Sequence, residues 1–295
     1  MRILITGSSG FLGTNLIKYI KKYHEDWEIF GFDIKKREEN EYNFRKIDFN
    51  EMKEWKNIFQ QIEPDLIFHL VGLFTGNESE LFDTNTVSFF NFIKGLHESD
   101  INCRLLITGS AAQYGRVKKE DNPIKEDYNT LPTSIYGLTK NWQEELALFY
   151  NQTYGINVVC TRPSTYIGKG VSQKLLAGYL TSKFSEKKDK IEISITNADD
   201  VRDYIDVRDV SNALIKLILN PNTSGEIFNV SSMKPVSNLE LVKKFEKIAR
   251  KETNVTYREP EKTPFLIWQD NTKIKEKIEY KLNFTLEDSI SWCLE

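Results

Sequence analysis

The sequence predicts an α/β fold, a doubly wound parallel sheet with a smaller C-terminal lobe. Three observations carry that prediction. Short apolar runs alternate with longer amphipathic stretches through the first half of the chain. The first run, Met1 to Ile5, leads straight into Thr6-Gly7-Ser8-Ser9-Gly10-Phe11-Leu12-Gly13. After Arg162-Pro163 the rhythm changes to shorter, less regular segments.

The candidate strands are Arg2–Thr6, Glu28–Phe32, Asp65–Leu70, Cys103–Thr108 and Asn157–Arg162. The amphipathic stretches between them are Phe11–Lys22, Met52–Gln61, Leu81–Ser99 and Ile135–Tyr154. Alternation of this kind means parallel strands joined by right-handed crossovers, with helices on both faces. Beyond Pro163, Ser172–Ser185 reads as helix, Ile191–Ile195 as strand, Val207–Leu219 as helix and Glu226–Val230 as one more buried strand. Ser237–Arg250 reads as a helix opened by a capping box, Ser237 with Glu240. The expected division is a first domain over 1–165, with return elements near 207–230, and a lobe from 166–206 and 231–295. There is no internal repeat and no low-complexity segment.

Composition sets limits. A chain of 295 residues with 40% hydrophobic content can bury a full core. A net charge of −3 without long blocks of one sign argues against a nucleic-acid surface. The charged stretches Arg116 to Asp127 and Lys183 to Lys190 read as solvated loops or helix faces. No apolar run approaches the roughly 20 residues that span a bilayer, and no signal-peptide pattern is visible. Cys103, Cys160 and Cys293 lie far apart, which fits buried thiols in a reducing cytoplasm. His24, His69 and His97 lack ligand spacing, so no metal site is expected.

In open sheets of this type, ligands bind beyond the carboxyl ends of the strands, and the chemistry-bearing residues follow the strands. Gly7, Gly10 and Gly13 sit on the first strand-to-helix turn, where glycine lets backbone approach a pyrophosphate and the helix N-terminus attracts the anion. Asp33 ends the second strand, where a carboxylate accepts the hydroxyls of an adenine ribose. Asp33 would repel the 2′-phosphate of NADP, favouring NAD, while Lys35, Lys36 and Arg37 offer a possible counterweight. Tyr136 and Lys140 stand four apart, on one side of a helix. A lysine ammonium and a charged nicotinamide would lower the phenol pKa from about 10, letting one group carry a hydroxyl proton. Ser110 follows the Leu105–Thr108 strand and offers a hydroxyl to the reacting oxygen; its plain alternative is a turn serine.

With these residues in place, the chain resembles the extended short-chain dehydrogenase/reductase family, in particular its nucleotide-sugar epimerases and reductases. The resemblance spans nearly the whole length: the glycine triplet, Asp33, Asp48-Phe49, His69-Leu70-Val71-Gly72, Asn85, Ser110 to Gly115, Tyr136/Lys140, Arg162-Pro163 and Val201 to Asp209. It implies a Rossmann-like sheet and a catalytic set of Ser110, Tyr136 and Lys140. It implies cofactor contacts from Phe11 and Leu12 with the glycines, from Asp48 on the adenine with Phe49 packing nearby, from Leu70, Val71 and Gly72 beneath the cofactor, and from Asn85 and Pro163. On the substrate side it implies Phe74, Ser110, Thr165, and Arg202 as a clamp on a sugar nucleotide's diphosphate, with Arg258 as a second cation. The plain alternative for Arg202 is an ion pair with Asp203 or Asp206. Dimerisation through the Leu81–Ser99 and Ile135–Tyr154 helices is also implied.

Two departures from the family pattern narrow the chemistry. Dehydratases of this group carry an acid just after the catalytic hydroxyl, where this chain has Ala111 and Ala112. Ser-Ala-Ala-x-Tyr-Gly is instead similar to reductases of nucleotide-linked 4-keto-6-deoxy sugars. Where the family often has Arg-Pro-Phe-Asn, this chain has Arg162-Pro163-Ser164-Thr165. The expected function is therefore NAD(P)-dependent 4-keto reduction of a nucleotide-diphospho-6-deoxy sugar. The alternatives are NAD-dependent 4-epimerisation and a cofactor-binding protein without catalysis, the latter disfavoured by an intact Ser110, Tyr136 and Lys140.

Overall fold

The computed structural model describes residues 1–36, 42–50, 54–188, 190–259 and 263–295. Its main sheet has seven parallel strands: β1 (Arg2–Thr6), β2 (Glu28–Asp33), β3 (Asn43–Lys46), β4 (Leu66–His69), β5 (Arg104–Thr108), β6 (Asn157–Pro163) and β10 (Ile227–Val230). The spatial order is β10-β6-β5-β4-β1-β2-β3. From β1 the chain winds outward to β2 and β3, then returns to β4 and winds the other way. The order reverses between β1 and β4, the switch point at which open sheets of this kind bind ligands.

Apolar side chains cover the sheet on both faces, as parallel strands require. Ile3 and Ile5 of β1 pack with α1 (Phe11–Tyr23) and α7 (Val207–Leu219) through Leu16, Ile17, Ile20, Leu214 and Ile218. Leu4, between them, points the other way. It joins Trp55 and Phe59 of α2 (Trp55–Ile62), Phe92, and Val158. The period of two along one strand thus feeds two separate cores.

The helix expected over Leu81–Ser99 starts earlier and is not uniform. It opens as α3 (Glu78–Phe82) on an Asn77–Glu80 capping box, passes through a π turn over Asp83–Val87, and continues as α4 (Ser88–Ser99). The turn carries Asn85, whose side chain is pinned elsewhere, and π insertions of this kind often mark functional sites. The α5 helix (Ile135–Tyr154) has the predicted bounds, set by the Ser134 cap and by Gly155 in the left-handed region. The Met52 end of the predicted second helix lies outside the described residues.

The remaining elements form two small sheets. In one, β9 (Val201–Asp206) lies between β7 (Thr165–Ile167), parallel, and β11 (Pro235–Ser237), antiparallel. In the other, β8 (Lys190–Ile195) runs parallel to β12 (Glu252–Tyr257). Helices α6 (Leu176–Phe184), α8 (Asn238–Ala249) and α10 (Leu286–Leu294) pack against them in a third core around Phe184, Leu241 and Phe245. The Ser237–Glu240 capping box forms as predicted. A short helix, α9 (Thr272–Lys277), completes the chain's regular structure among the described residues. Asp209 of α7 accepts from the backbone N–H groups of Asn283 and Phe284, which ties the C-terminal segment to the main sheet's helix layer.

Candidate active site

A cleft of about 480 Å³ lies over the carboxyl ends of the main strands and is closed from the other side by β9 and the segment 265–269. Its floor begins at the glycine turn. Gly7 has φ +70, and a Cβ there would meet the carbonyl carbon of Leu70 at 2.9 Å. The loops after β1 and β4 therefore touch at the sheet's switch point. A Cβ on Gly13 would sit 2.2 Å from the Gly7 carbonyl oxygen, so α1 can pack this tightly on the loop only with glycine there.

Gly10 caps α1 without a side-chain bond, and the first backbone bond of the helix runs from the Thr14 N–H to the Gly10 carbonyl. The N–H groups of Phe11, Leu12 and Gly13 have no intrahelical carbonyl to bond, and these residues line the cleft. That donor set fits an anionic pyrophosphate. Asp33 accepts from the Ser9 N–H at 2.9 Å and from the Ile34 N–H at 2.7 Å, which fixes its carboxylate beside the glycine turn. Lys35 and Lys36 follow on the exposed surface, and Arg37 lies outside the described residues.

Of the other predicted cofactor residues, Leu70, Gly72 and Pro163 line the cleft. Val71 and Phe49 do not; both are buried in the core, Phe49 stacked on Trp55 with ring centroids 5.6 Å apart. Asp48 is exposed and accepts from the Asn50 N–H at 3.0 Å. Asn85 is fully buried and acts on the backbone. Its Oδ1 accepts from the Leu73 N–H at 2.7 Å, while its Nδ2 donates to the Leu73 carbonyl at 2.9 Å and to Thr139 Oγ1 at 3.0 Å. It thereby staples the loop after β4 to α5.

Ser110 lies just past the end of β5, in a turn stabilised by its own bonds to the Ala112 N–H and by Gln113 Oε1, which accepts from the Ser110 N–H at 2.7 Å. Its hydroxyl is close enough to the phenol of Tyr136 to influence that group's pKa, and both residues line the cleft. Burial raises the Tyr136 pKa, and Ser110 offsets only part of that rise. The direction is opposite to the one expected from a neighbouring lysine. Burial is the largest cause, and Lys140, whose Nζ is turned to Gln143 Oε1 one turn further along α5, does not offset it. Burial brings the Lys140 pKa down to about 7, against the attraction of Glu144. Lys140 does not line the cleft; it sits behind Gly72, where an added Cβ would approach Nζ to 3.4 Å.

On the opposite wall, Phe74, Thr165 and Arg202 line the cleft as expected. Arg202 makes no ion pair with Asp203 or Asp206. Its Nη1 donates to the carbonyls of Val201 and Phe265 at 3.0 and 2.9 Å, and its guanidinium lies 4.1 Å from the centre of the Phe265 ring. Asp203 instead accepts from Ser232 and the Met233 N–H, while Asp206 is held by Arg208 and Ser289. Burial pushes the Asp203 carboxyl up to about 6, with the Ser232 bond pulling it back down. Arg258 does not join the cleft. It is exposed at the end of β12, with Nη2 3.3 Å from Thr196 Oγ1.

Sequence reading missed Tyr166, Val171, Phe265 and Gln269, all of which line the cleft. Tyr166 stacks on Phe11 at 5.9 Å and so bridges the two walls. Phe265 and Gln269 belong to a segment with no periodic pattern, placed by isolated bridges of Leu266 to Val201 and Gln269 to Ile124. No local signal marks them. Among the described residues, no cluster of metal-ligating side chains is present and no helix is long and apolar enough to cross a membrane.

Comparison with known proteins accords with this geometry. The chain is 28% identical over 222 residues, covering 74% of this chain and 70% of its relative, to a GDP-6-deoxy-D-talose 4-dehydrogenase of Aggregatibacter actinomycetemcomitans. It is 24% identical, covering 86% and 82%, to a GDP-6-deoxy-D-mannose reductase of Pseudomonas aeruginosa. Its fold superposes with a TM-score of 0.90 on a UDP-glucose 4-epimerase of Thermotoga maritima bound to UDP-glucose, at 21% identity with 100% and 97% of the two chains covered. Other solved chains of this fold hold NAD or NADPH. The model of the NAD dependent epimerase/dehydratase family matches residues 3–231, and the chain belongs to that family.

Proposed function

We propose that the chain reduces the 4-keto group of a nucleotide-diphospho-6-deoxy sugar, with a nicotinamide cofactor seated on the α1 N-terminus. The observation that supports this most is the end of β5. There Ser110 lines the cleft together with Tyr136, and Ser110 is followed by Ala111 and Ala112, which cannot exchange a proton as an elimination of water would need. Both relatives named above act on GDP-6-deoxy hexoses as dehydrogenase or reductase, which accords with the reading.

The bound nicotinamide would supply the hydride. Ser110 and Tyr136 would hold the keto oxygen, and Tyr136 would release its proton to that oxygen as it becomes a hydroxyl. A phenol whose pKa is raised by burial is protonated at neutral pH, the state in which a reduction needs it. Lys140, behind the floor, would steady this end of α5 and the cofactor ribose. The reading is tested by assaying the purified protein against 4-keto-6-deoxy nucleotide sugars with NADH and with NADPH. Product must form with stoichiometric oxidation of the cofactor. The second reading is 4-epimerisation, favoured by the close superposition on an epimerase and served by the same residues. Cofactor retained through purification, with turnover that needs no added reductant, would select it.

The diphosphate would fall to Arg202. Arg202→Ala is expected to weaken nucleoside diphosphate binding by an order of magnitude or more while leaving NAD binding unchanged, since charge-assisted bonds contribute about 1.5–3 kcal/mol each. Arg202→Lys should recover only part, because an ammonium lacks the planar fork. Calorimetry with each ligand separates the cases, and equal loss for both would mean a disturbed fold.

Asp33, fixed beside the glycine turn, should make NADH bind more tightly than NADPH, because a 2′-phosphate there faces a carboxylate of like charge. Titration of both reduced cofactors checks this; tighter NADPH would hand control of the pocket to Lys35 and its neighbours.

We infer a homodimer through the helices of the segments 81–99 and 135–154. Phe82, Phe90, Trp142 and Phe149 are large apolar side chains left exposed on α3, α4 and α5. Phe149→Glu should convert the dimer to monomer in light scattering, and a monomeric parent protein would overturn the inference.

A further inference from the structure

Two residues that line the same wall of the cleft each carry a buried side-chain polar atom without a partner among the described residues. One is Oγ of Ser164, a residue 6% exposed, just past β6. The other is Oε1 of Gln269, a residue with no exposure at all. Neither residue belongs to the Ser110–Tyr136–Lys140 set.

The orientation of the Gln269 amide follows from its neighbours. Nε2 lies 2.9 Å from the Arg162 carbonyl oxygen and 2.7 Å from Asn229 Oδ1. A carbonyl only accepts, so the atom facing it is the NH₂. Asn229 is fixed in the same way: its Nδ2 donates to the Ile124 carbonyl at 3.1 Å, which leaves Oδ1 to accept from Tyr114 Oη at 2.7 Å and from Gln269. The chain Ile124–Asn229–Gln269–Arg162 thus permits one assignment. Gln269 Oε1 is an acceptor held in place by two bonds made at the other end of its amide.

An acceptor buried without a donor costs about 1–3 kcal/mol, and native structures satisfy nearly all such groups. Its position says what kind of donor suits it. Ser164 follows Pro163 on β6, and β6 pairs with β5, whose end carries Ser110. Gln269 lies beyond, toward β10, where the Ser231 hydroxyl donates to the Gln269 carbonyl. A ring whose reacting carbon lies at Ser110 and Tyr136 would extend over this wall. A neutral amide oxygen repels a diphosphate, whose oxygens only accept, and suits a hydroxyl.

We propose that Gln269 Oε1, aided by Ser164 Oγ, is a specificity element that accepts a hydrogen bond from a ring hydroxyl of the sugar. This rests on the nucleotide-sugar reading above. In Gln269 the amide hydrogens build the fold and the amide oxygen reads the substrate.

The test combines altered substrates with altered protein. Binding of GDP-, UDP- and dTDP-linked hexoses and of the free diphosphates is measured by calorimetry, and the nucleotide that binds is then offered with each ring hydroxyl replaced in turn by fluorine, which cannot donate. In the parent protein, fluorination at one position should weaken binding roughly 5- to 150-fold, the range for an unsatisfied buried acceptor. In Gln269→Met the parent sugar should bind more weakly, the same fluorination should cost nothing further, and NAD and free diphosphate should bind as before. Ser164→Ala, which removes no bond of the folded chain, should keep the thermal midpoint and bind the sugar more weakly. If nucleotide sugars bind but no fluorination matters, or the penalty persists in Gln269→Met, or NAD affinity falls with it, the proposal is overturned and the nucleotide-sugar reading stands. If neither nucleotide sugars nor free diphosphates bind, that reading falls and the proposal with it.

Discussion

Tyr136→Phe is expected to lose at least about 100-fold in turnover while binding cofactor almost as tightly as the parent chain. The magnitude is that of a missing general acid. Tyr136 lines the cleft together with Ser110, so its hydroxyl is placed for a proton transfer, whereas the donors that fit a pyrophosphate belong to the α1 N-terminus. Removing one oxygen leaves the ring, the helix and those donors intact. The comparison needs kcat from steady-state rates and a separate cofactor titration. Retention of more than about a tenth of the activity would remove Tyr136 from the proton-transfer role. Loss of cofactor binding in step with kcat would assign it to cofactor anchoring instead. Ser110→Ala should give a smaller fall, because the tyrosine proton remains.

Glu144→Ala should destabilise the folded chain by about 3–5 kcal/mol, the cost of leaving a buried charge without its partner. Glu144 sits one turn after Lys140 on α5. Its carboxylate takes both Nη2 and Nε of Arg162, at 2.5 and 3.0 Å, and the two side chains are only 4% and 5% exposed. Arg162 would be left with the Glu126 carbonyl at 3.1 Å and the face of Tyr114, 4.8 Å from its ring centre. Neither neutralises a guanidinium. Glu144→Gln, which keeps one acceptor, should lose less. Replacing both partners by apolar residues of similar volume should recover most of the loss, since the pair's attraction roughly balances its desolvation. Chemical denaturation of the single and double variants measures each term. A loss below about 1 kcal/mol for Glu144→Ala would mean that water reaches the pair and that it behaves as an exposed one.

The pair also shows where local sequence stops informing. Arg162-Pro163 was legible as the end of a strand, yet nothing near it names Glu144, 18 residues earlier, or Tyr114 and Gln269 as neighbours. The same holds for Phe49 and Val71, which the family pattern places near the cofactor and which the packing buries behind Trp55 and in the core. It holds for Arg258, a cation in a segment of weak pattern that ends on the surface.

By itself the sequence determined the main sheet except its edge strand β3, the helices that flank it and the first half of the cleft. The apolar run of β1, the glycine turn, Asp33, the Ser237–Glu240 capping box and the Tyr136–Lys140 spacing are local, and local backbone chemistry suffices to read them. Tertiary structure alone decided the rest. It turned Lys140 toward Gln143, buried Tyr136 so that its pKa rises, and left Arg202 unpaired with either aspartate. It also brought Phe265 and Gln269 against strands more than 60 residues away in sequence. A side chain's pKa and hydrogen-bond partners depend on what surrounds it in three dimensions, and along the chain those surroundings are far apart.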